Sequence, residues 1–249
     1  VVAVLSTIRV EWVVLAALTL LGEFFIRALR WAILLRPLGI DARLSDLWSA
    51  TVIGAAVNTL IPLRAGEIAK PLVASRRTGL RLSTLFATNV MERVFDLLGL
   101  VSILILMIVL LPGTSGDDFL VRNLYLYGSW IGFGALLAMV VFFLLATRGA
   151  QARGAFQRIL SIAPHAAQRP FLNLFDGFVM GLGSSRDTSS VIRAGALSVL
   201  MWLNGAVAIW CLFQAFRVDL PFAAACFTGV AIALTVALPQ APGFIGVFH

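Results

Sequence analysis

Residues able to do chemistry gather at a few places in this chain. The first is the run Asn58-Thr-Leu-Ile-Pro62-Leu-Arg64-Ala-Gly66-Glu67-Ile-Ala-Lys70. Pro62 removes a backbone donor and Gly66 permits an unusual turn. A helix starting near Gly66 would point free N–H groups at whatever lies beyond the tip. Arg64 and Lys70 would add positive charge there, which outlines an anion site. Glu67 is placed to orient either cation. The plain alternative is a cytoplasmic loop carrying ordinary anchoring charges.

Asn89, Glu92, Arg93 and Asp96 form a second group, spaced i, i+3, i+4 and i+7 on one helical stripe. Glu23, Arg27 and Arg30 repeat the pattern on another apolar segment. Ionisable groups inside such segments are costly and face a protein interior or a wet cavity. They either meet a polar substrate or tie helices together, for instance Arg93 with Glu23, or Arg27 with Asp96. Arg27 and Arg30 have a further alternative, as helix-end anchors that snorkel to the interface. Pro239, Pro242 and Gly243 mark a last break, either a binding element or a plain turn.

Other chemistry has no foothold. The sequence has no Gly-x-x-x-x-Gly-Lys phosphate loop, no Gly-x-Ser-x-Gly, no His-Glu-x-x-His and no Cys/His metal spacing. His165 lacks a ligand-spaced partner, and Cys211 and Cys226 lie in apolar runs. No cofactor, metal or catalytic role is expected.

The elements that hold these residues must be membrane helices. The chain is 60% hydrophobic and 12% charged, with a mean hydropathy of +0.98; a soluble domain carries about 25% charged residues. A bilayer core needs about 20 apolar residues per helix, and several stretches meet that length. The net charge of +7 does not indicate nucleic acid, because the basic residues flank apolar runs as the positive-inside rule places them. All of them except Lys70 are arginine.

The spacing predicts spans at about Trp12–Leu35, Leu82–Leu111, Asn123–Thr147, Ser190–Phe216 and Pro221–Leu238. Trp12 and Trp31, about 28 Å apart along a helix, read as the two aromatic belts of the first span. An apolar arm over Leu44–Ile61 and a short arm over Gly66–Arg76 lie between the first two spans, and Arg148–Ser189 reads as a cytoplasmic amphipathic connector. Arg30, Arg36 and Arg43 precede the two arms, and Arg76, Arg77 and Arg81 follow them. Both basic sets can face the cytoplasm only if 44–76 enters and leaves by one side, as a re-entrant hairpin.

An offset of 177 positions aligns Pro62 with Pro239, Gly66 with Gly243, Ile68 with Ile245, Thr51 with Thr228 and Ala56 with Ala233. The expected fold is therefore an all-α, polytopic integral membrane helical bundle of one transmembrane domain, 1–249. It would hold two re-entrant hairpins in an inverted repeat. Repeat 1 would cover about 10–147, the connector 148–189, and repeat 2 about 190–249. The C-terminal part of repeat 2 is expected to be incomplete, the chain being a piece of a longer protein.

Four motifs occur in order: Arg27-Ala-Leu-Arg30-Trp31, then Asn58…Pro62-x-Arg64-x-Gly66-Glu67, then Glu92-Arg93-x-x-Asp96, then Pro239-x-x-Pro242-Gly243-x-Ile245-Gly246. This pattern resembles the flippase-like transmembrane region of lysylphosphatidylglycerol synthase and its stand-alone membrane relatives. The resemblance spans nearly the whole chain. It implies lipid translocation, and no aminoacyl transfer, because the soluble transferase domain of the fused relatives is absent here. His249 stands where relatives often carry an acidic residue.

The expected function is movement of a phospholipid or lipid-linked headgroup, aminoacylated or glycosylated, between leaflets of a bacterial cytoplasmic membrane. Candidate substrate-binding residues are Asn58, Arg64, Gly66, Glu67, Lys70, Glu92, Arg93, Asp96, Arg27, Arg30, Pro239, Pro242 and Gly243. The alternatives are an intramembrane enzyme acting on a lipid-linked substrate, with Glu92 or Asp96 as acid or base, and a membrane partner of a lipid-modifying synthase or glycosyltransferase. Expected partners are the lipid, a lipid-modifying enzyme and a second copy of the chain, with no nucleic acid.

Overall fold

The structure, a computed structural model, describes residues 8–62, 64–110, 153–154, 157–158, 172, 176 and 187–237. Its elements are helices α1 (Val10–Leu35), α2 (Leu44–Leu60), α3 (Gly66–Thr78), α4 (Leu82–Leu110), α5 (Thr188–Ala215) and α6 (Phe222–Ala237), with a 3-10 turn at Arg36–Leu38. No strand occurs among the described residues. These bounds match the sequence expectation for each element to within two residues. The loop at 112–122, the span at 123–147, most of the connector and the break holding Pro239, Pro242 and Gly243 lie outside the described residues.

Local chemistry explains the helix ends. Pro37 opens the 3-10 turn, and Gly39 closes it in the left-handed conformation, φ 72°. Ile61, the residue before Pro62, is extended at φ −114° and ψ 133°, where proline's ring forces its predecessor; α2 must stop there. Gly79, also at φ 72°, caps α3 by donating its N–H to Ser75 O. Asp187 caps α5 by accepting from the backbone N–H groups of Ser189 and Ser190.

α1 and α5 run antiparallel along most of their lengths. Arg9 N–H donates to Ala215 O at 3.1 Å at one end. Asn204 donates to Thr19 O at 2.7 Å further along. Trp12 and Trp210 meet edge to face, centroids 5.6 Å apart. α4 runs parallel to α5, with Met91 and Phe95 beside Ala194 and Leu100 to Leu104 beside Ala206; α6 closes that end with Cys226 and Val230.

α2 and α3 form an antiparallel helical hairpin. Asp46 pairs with Arg77 at 3.6 Å near its open end, and Asn58 Oδ1 accepts from Gly66 N–H at 2.7 Å near its tip. A Cβ on Gly54 would lie 2.7 Å from Lys70 Cβ, and one on Gly66 would collide with the Gly54 carbonyl and the Asn58 side chain. These two glycines set the close approach. Trp31 and Leu35 of α1, Leu47 and Ala50 of α2, Ala74 of α3 and Leu85 of α4 share one buried cluster. Both ends of the hairpin therefore sit at the same end of the bundle.

The outer face is apolar. Val10, Val14, Leu18, Leu21 and Phe25 of α1 and Ile192 and Leu200 of α5 are all exposed. Val10–Leu38 and Thr188–Ala215 are long and apolar enough to cross a bilayer. Arg30, Lys70, Asn89 and Glu92 are buried inside this frame, the reverse of a soluble protein's pattern, while most charged groups at the helix ends are exposed.

Candidate functional site

Glu23, Arg27 and Arg30 of α1, Glu67 and Lys70 of α3, and Glu92, Arg93 and Asp96 of α4 converge on one cluster inside this apolar frame. α4 supplies a stripe, because Asn89, Glu92, Arg93 and Asp96 recur at one-turn spacing along a helix. α1 supplies Glu23, Arg27 and Arg30 by the same periodicity. α3 supplies Glu67 and Lys70, one turn apart, because Pro62 and Gly66 turn the chain back towards α4.

Asp96 is the hub of one half. Arg30 Nη1 lies 2.7 Å from its carboxylate, Arg93 Nη1 2.9 Å and Arg27 Nη1 4.0 Å. Arg30 also donates to Ser198 Oγ of α5 at 2.6 Å. Arg27 is held by Glu23 at 2.7 Å. Arg93 reaches across to the hairpin, its Nη2 lying 2.9 Å and 3.0 Å from the two oxygens of Glu67. Asn89 donates to Glu67 as well, at 3.2 Å.

The other half is a sealed pair. Lys70 of α3 bonds Glu92 of α4. Lys70 is 7% exposed and Glu92 1%. The Lys70 ammonium sits 4.3 Å from the ring centroid of Trp31, a cation–π seat. Trp31 is fully buried and donates from Nε1 to Thr88 Oγ1 at 2.9 Å. Taken together, Glu23, Glu67, Glu92 and Asp96 are matched by Arg27, Arg30, Lys70 and Arg93. Among the described residues the cluster's formal charges cancel.

Several expectations change here. Arg30 is no snorkelling anchor: at 1% exposure its charge is neutralised inside the bundle, where Asp96 makes burial tolerable. Trp31 is no interfacial belt residue, because α2, α3 and α4 pack over it. Arg93 pairs with Glu67 and Asp96 and not with Glu23, whereas Arg27 does approach Asp96. The N-terminus of α3 does not present free N–H groups. Gly66 N–H is taken by Asn58, Glu67 N–H by Arg64 O, and the amides of Ile68 and Ala69 by Ala65 O. Lys70 faces Glu92 and not the tip. Arg64 does remain at the tip, exposed, left-handed at φ 56°, with no ion-pair partner among the described residues.

Asn58, Arg64 and Gly66 are thus grouped at the hairpin tip, while Arg27, Arg30, Glu67, Lys70, Glu92, Arg93 and Asp96 form the inner cluster. Sequence reasoning missed Ser198, Thr88 and the inward role of Trp31. Ser and Thr inside a span carry no periodic signal, since they satisfy their own helix carbonyls equally well: Ser198 and Thr88 also donate to Ala194 O and Leu85 O.

The cluster opens on one side. The Arg93 side chain is 41% exposed and those of Glu67, Arg27 and Glu23 are partly exposed. This edge offers both signs of charge, from the hairpin, α1 and α4.

Residues 1–249 match the family described as the lysylphosphatidylglycerol synthase TM region. The chain is similar to a "UPF0104 membrane protein" of Methanothermobacter thermautotrophicus, 26% identical over 248 residues, covering 95% of this chain and 70% of that protein. It is also similar to "Glycosyltransferase AglD" of Haloferax volcanii, 30% identical over 118 residues, 47% of this chain but 19% of that protein. No solved structure matches. The chain belongs to the lysylphosphatidylglycerol synthase TM region family of membrane proteins.

Proposed function

We propose that this chain moves a phospholipid or lipid-linked headgroup between bilayer leaflets, the lipid tails staying in the membrane while the headgroup passes the polar edge at Glu67 and Arg93. The observation that carries this reading is the Glu67–Arg93 bridge itself. It joins the hairpin to α4, is partly exposed, and lies among apolar helices. Such residues in a membrane mark substrate paths. Arg64, at the tip with no ion-pair partner among the described residues, is the cation a phosphate would meet first. The chain is not itself an enzyme on this reading.

The hairpin is re-entrant in this proposal. α3 has 13 residues, about 20 Å of helix, too short for a bilayer core of about 30 Å. An inverted repeat has support as well. Adding 177 to the bounds of α1 and α2 gives 187–212 and 221–237, against α5 at Thr188–Ala215 and α6 at Phe222–Ala237. α1 and α5 are antiparallel, and α6 packs on α5 as α2 packs on α1. Halves of opposite orientation framing a central site are a transporter arrangement.

Reconstitution tests the reading. Proteoliposomes carrying a short-chain fluorescent phospholipid should lose outer-leaflet label faster than protein-free vesicles, and Arg93→Gln should slow them. Wild-type protein that moves no lipid overturns the proposal. The glycosyltransferase-named relative favours a second reading, a membrane partner for an enzyme that builds on lipid-linked carriers. Co-purification with an enzyme whose activity collapses without this chain, alongside inert proteoliposomes, would select it.

A further inference from the structure

The Lys70–Glu92 pair is not used by the headgroup edge, and its geometry is incomplete. Glu92 Oε2 is bonded to Lys70, but Glu92 Oε1 is buried with no hydrogen-bond partner among the described residues. Asn89 Oδ1 is in the same condition. Asn89 and Glu92 stand one turn apart on the same face of α4. Two buried acceptors without donors are costly. A proton on Glu92 Oε1 would turn one of these acceptors into a donor, and Asn89 Oδ1, one turn away on the same helix, is an acceptor in need of one.

Electroneutrality says when that proton would arrive. The cluster holds as many carboxylates as cations, so an anionic headgroup entering it would add an uncompensated buried charge. Adding a proton at the same time keeps the sum unchanged. Lys70 is the cation that such a proton releases, since protonation neutralises its carboxylate. Arg27 of α1 and Arg93 of α4 also act on this pair. Both already have carboxylates of their own, Glu23 for one and Glu67 and Asp96 for the other. From α5 the polar group reaching the cluster is Ser198, which faces Arg30.

We infer that Glu92 is a proton-binding site linked to the headgroup: an anionic phosphate ester takes Glu92's place as the partner of Lys70, and Glu92 Oε1 takes up a proton. The proton comes from water and adds to the carboxylate; the phosphate keeps its charge and pairs with the Lys70 ammonium. No bond other than O–H forms or breaks. This rests on the headgroup-translocation reading and adds that an anionic lipid and a proton bind together, so that a proton gradient would drive the lipid.

The test is proton uptake by purified protein in weakly buffered detergent with a pH indicator. Dioctanoyl phosphatidylglycerol should draw about one proton per lipid bound. Dioctanoyl phosphatidylcholine, a neutral zwitterion, should draw none. Glu92→Gln should abolish the uptake, and Asn89→Leu should weaken it. Phosphatidylglycerol binding to wild type without proton uptake overturns this inference and leaves lipid translocation standing. Uptake that persists unchanged in Glu92→Gln also overturns it, and if that variant does not fold, the contrast between the two lipids on wild type decides alone. Uptake with inorganic phosphate but not with phosphatidylglycerol would assign the site to a free anion and overturn the lipid linkage. Wild type that binds neither lipid and moves none in vesicles overturns both readings.

Discussion

Arg30 of α1 holds its guanidinium 2.7 Å from the carboxylate of Asp96 on α4, and the same nitrogen donates to Ser198 of α5. Three helices far apart in sequence are joined at one buried charge. Removing one member strands the other: Asp96→Leu leaves Arg30 buried and uncompensated, which costs about 3–5 kcal/mol in comparable buried pairs. The double variant Arg30→Met with Asp96→Leu removes both charges and should recover much of that loss. Thermal unfolding in detergent reads the comparison. A double variant no more stable than Asp96→Leu alone would show that the pair does more than neutralise itself.

The hairpin depends on glycine for contact and not for backbone freedom. A Cβ on Gly66 would strike the Gly54 carbonyl and Asn58, and the first of these is backbone that cannot swing aside. Gly66→Ala should therefore destabilise the protein by about 1–3 kcal/mol, the range for overpacking. Gly22 of α1 has nothing within 4 Å of its Cβ position. Gly22→Ala should be neutral or stabilising by about 0.5–1 kcal/mol through helix propensity. Equal effects at the two positions would contradict the close-approach role.

Helix placement was legible because apolar run length, proline and glycine act locally. Pro62 ends α2 and Gly79 ends α3 for reasons carried by adjacent residues. The stripes at 89–96 and 23–30 were legible for the same reason, one-turn spacing. Which stripe residue meets which was not legible, because partner choice is set by how the helices are rotated and staggered. Arg93 could reach Glu23 or Glu67 by charge alone, and only the hairpin's docking on α4 selects Glu67. The N-terminus of α3 misled more deeply. A helix start normally leaves N–H groups free, but Asn58, eight positions earlier, folds back to accept from Gly66, and the turn at Arg64 and Ala65 uses the rest.

The start of α5 should respond to acid. Asp187 accepts from the Ser190 hydroxyl at 2.6 Å and from the amides of Ser189 and Ser190. The Ser190 hydroxyl, followed by those amides and nearby Arg193, holds its carboxyl below the ordinary value. A lowered folded-state value means that this cap is fully in force above the ordinary carboxylate pKa of about 4. It is lost as the pH falls below that value and through the lowered one. Amide exchange at Ser189 and Ser190, corrected for the intrinsic acid dependence of exchange, should quicken over that window. Asp187→Asn should remove the pH dependence while keeping part of the cap, since asparagine caps almost as well.

Lys70 is the only lysine in the chain, so amine-directed chemistry reports on one side chain besides the N-terminal amine. It sits at 7% exposure beneath Trp31 with Glu92 as partner. Acylation by a succinimidyl ester must therefore wait for the hairpin to loosen from α4, and wild-type protein in detergent should label slowly at this position. Glu92→Gln removes the counter-charge and frees the side chain, so labelling should accelerate. Trp31→Leu removes the cation–π seat, worth about 0.5–2 kcal/mol, and should accelerate it less. Arg93→Gln breaks the neighbouring latch at Glu67, so it should act on Lys70 only if the hairpin moves as a unit. Peptide mapping of the Lys70 adduct measures all four rates. Acceleration by Arg93→Gln as strong as by Glu92→Gln would show that the two bridges open together, and the absence of any effect would show that the Lys70–Glu92 contact holds the hairpin by itself.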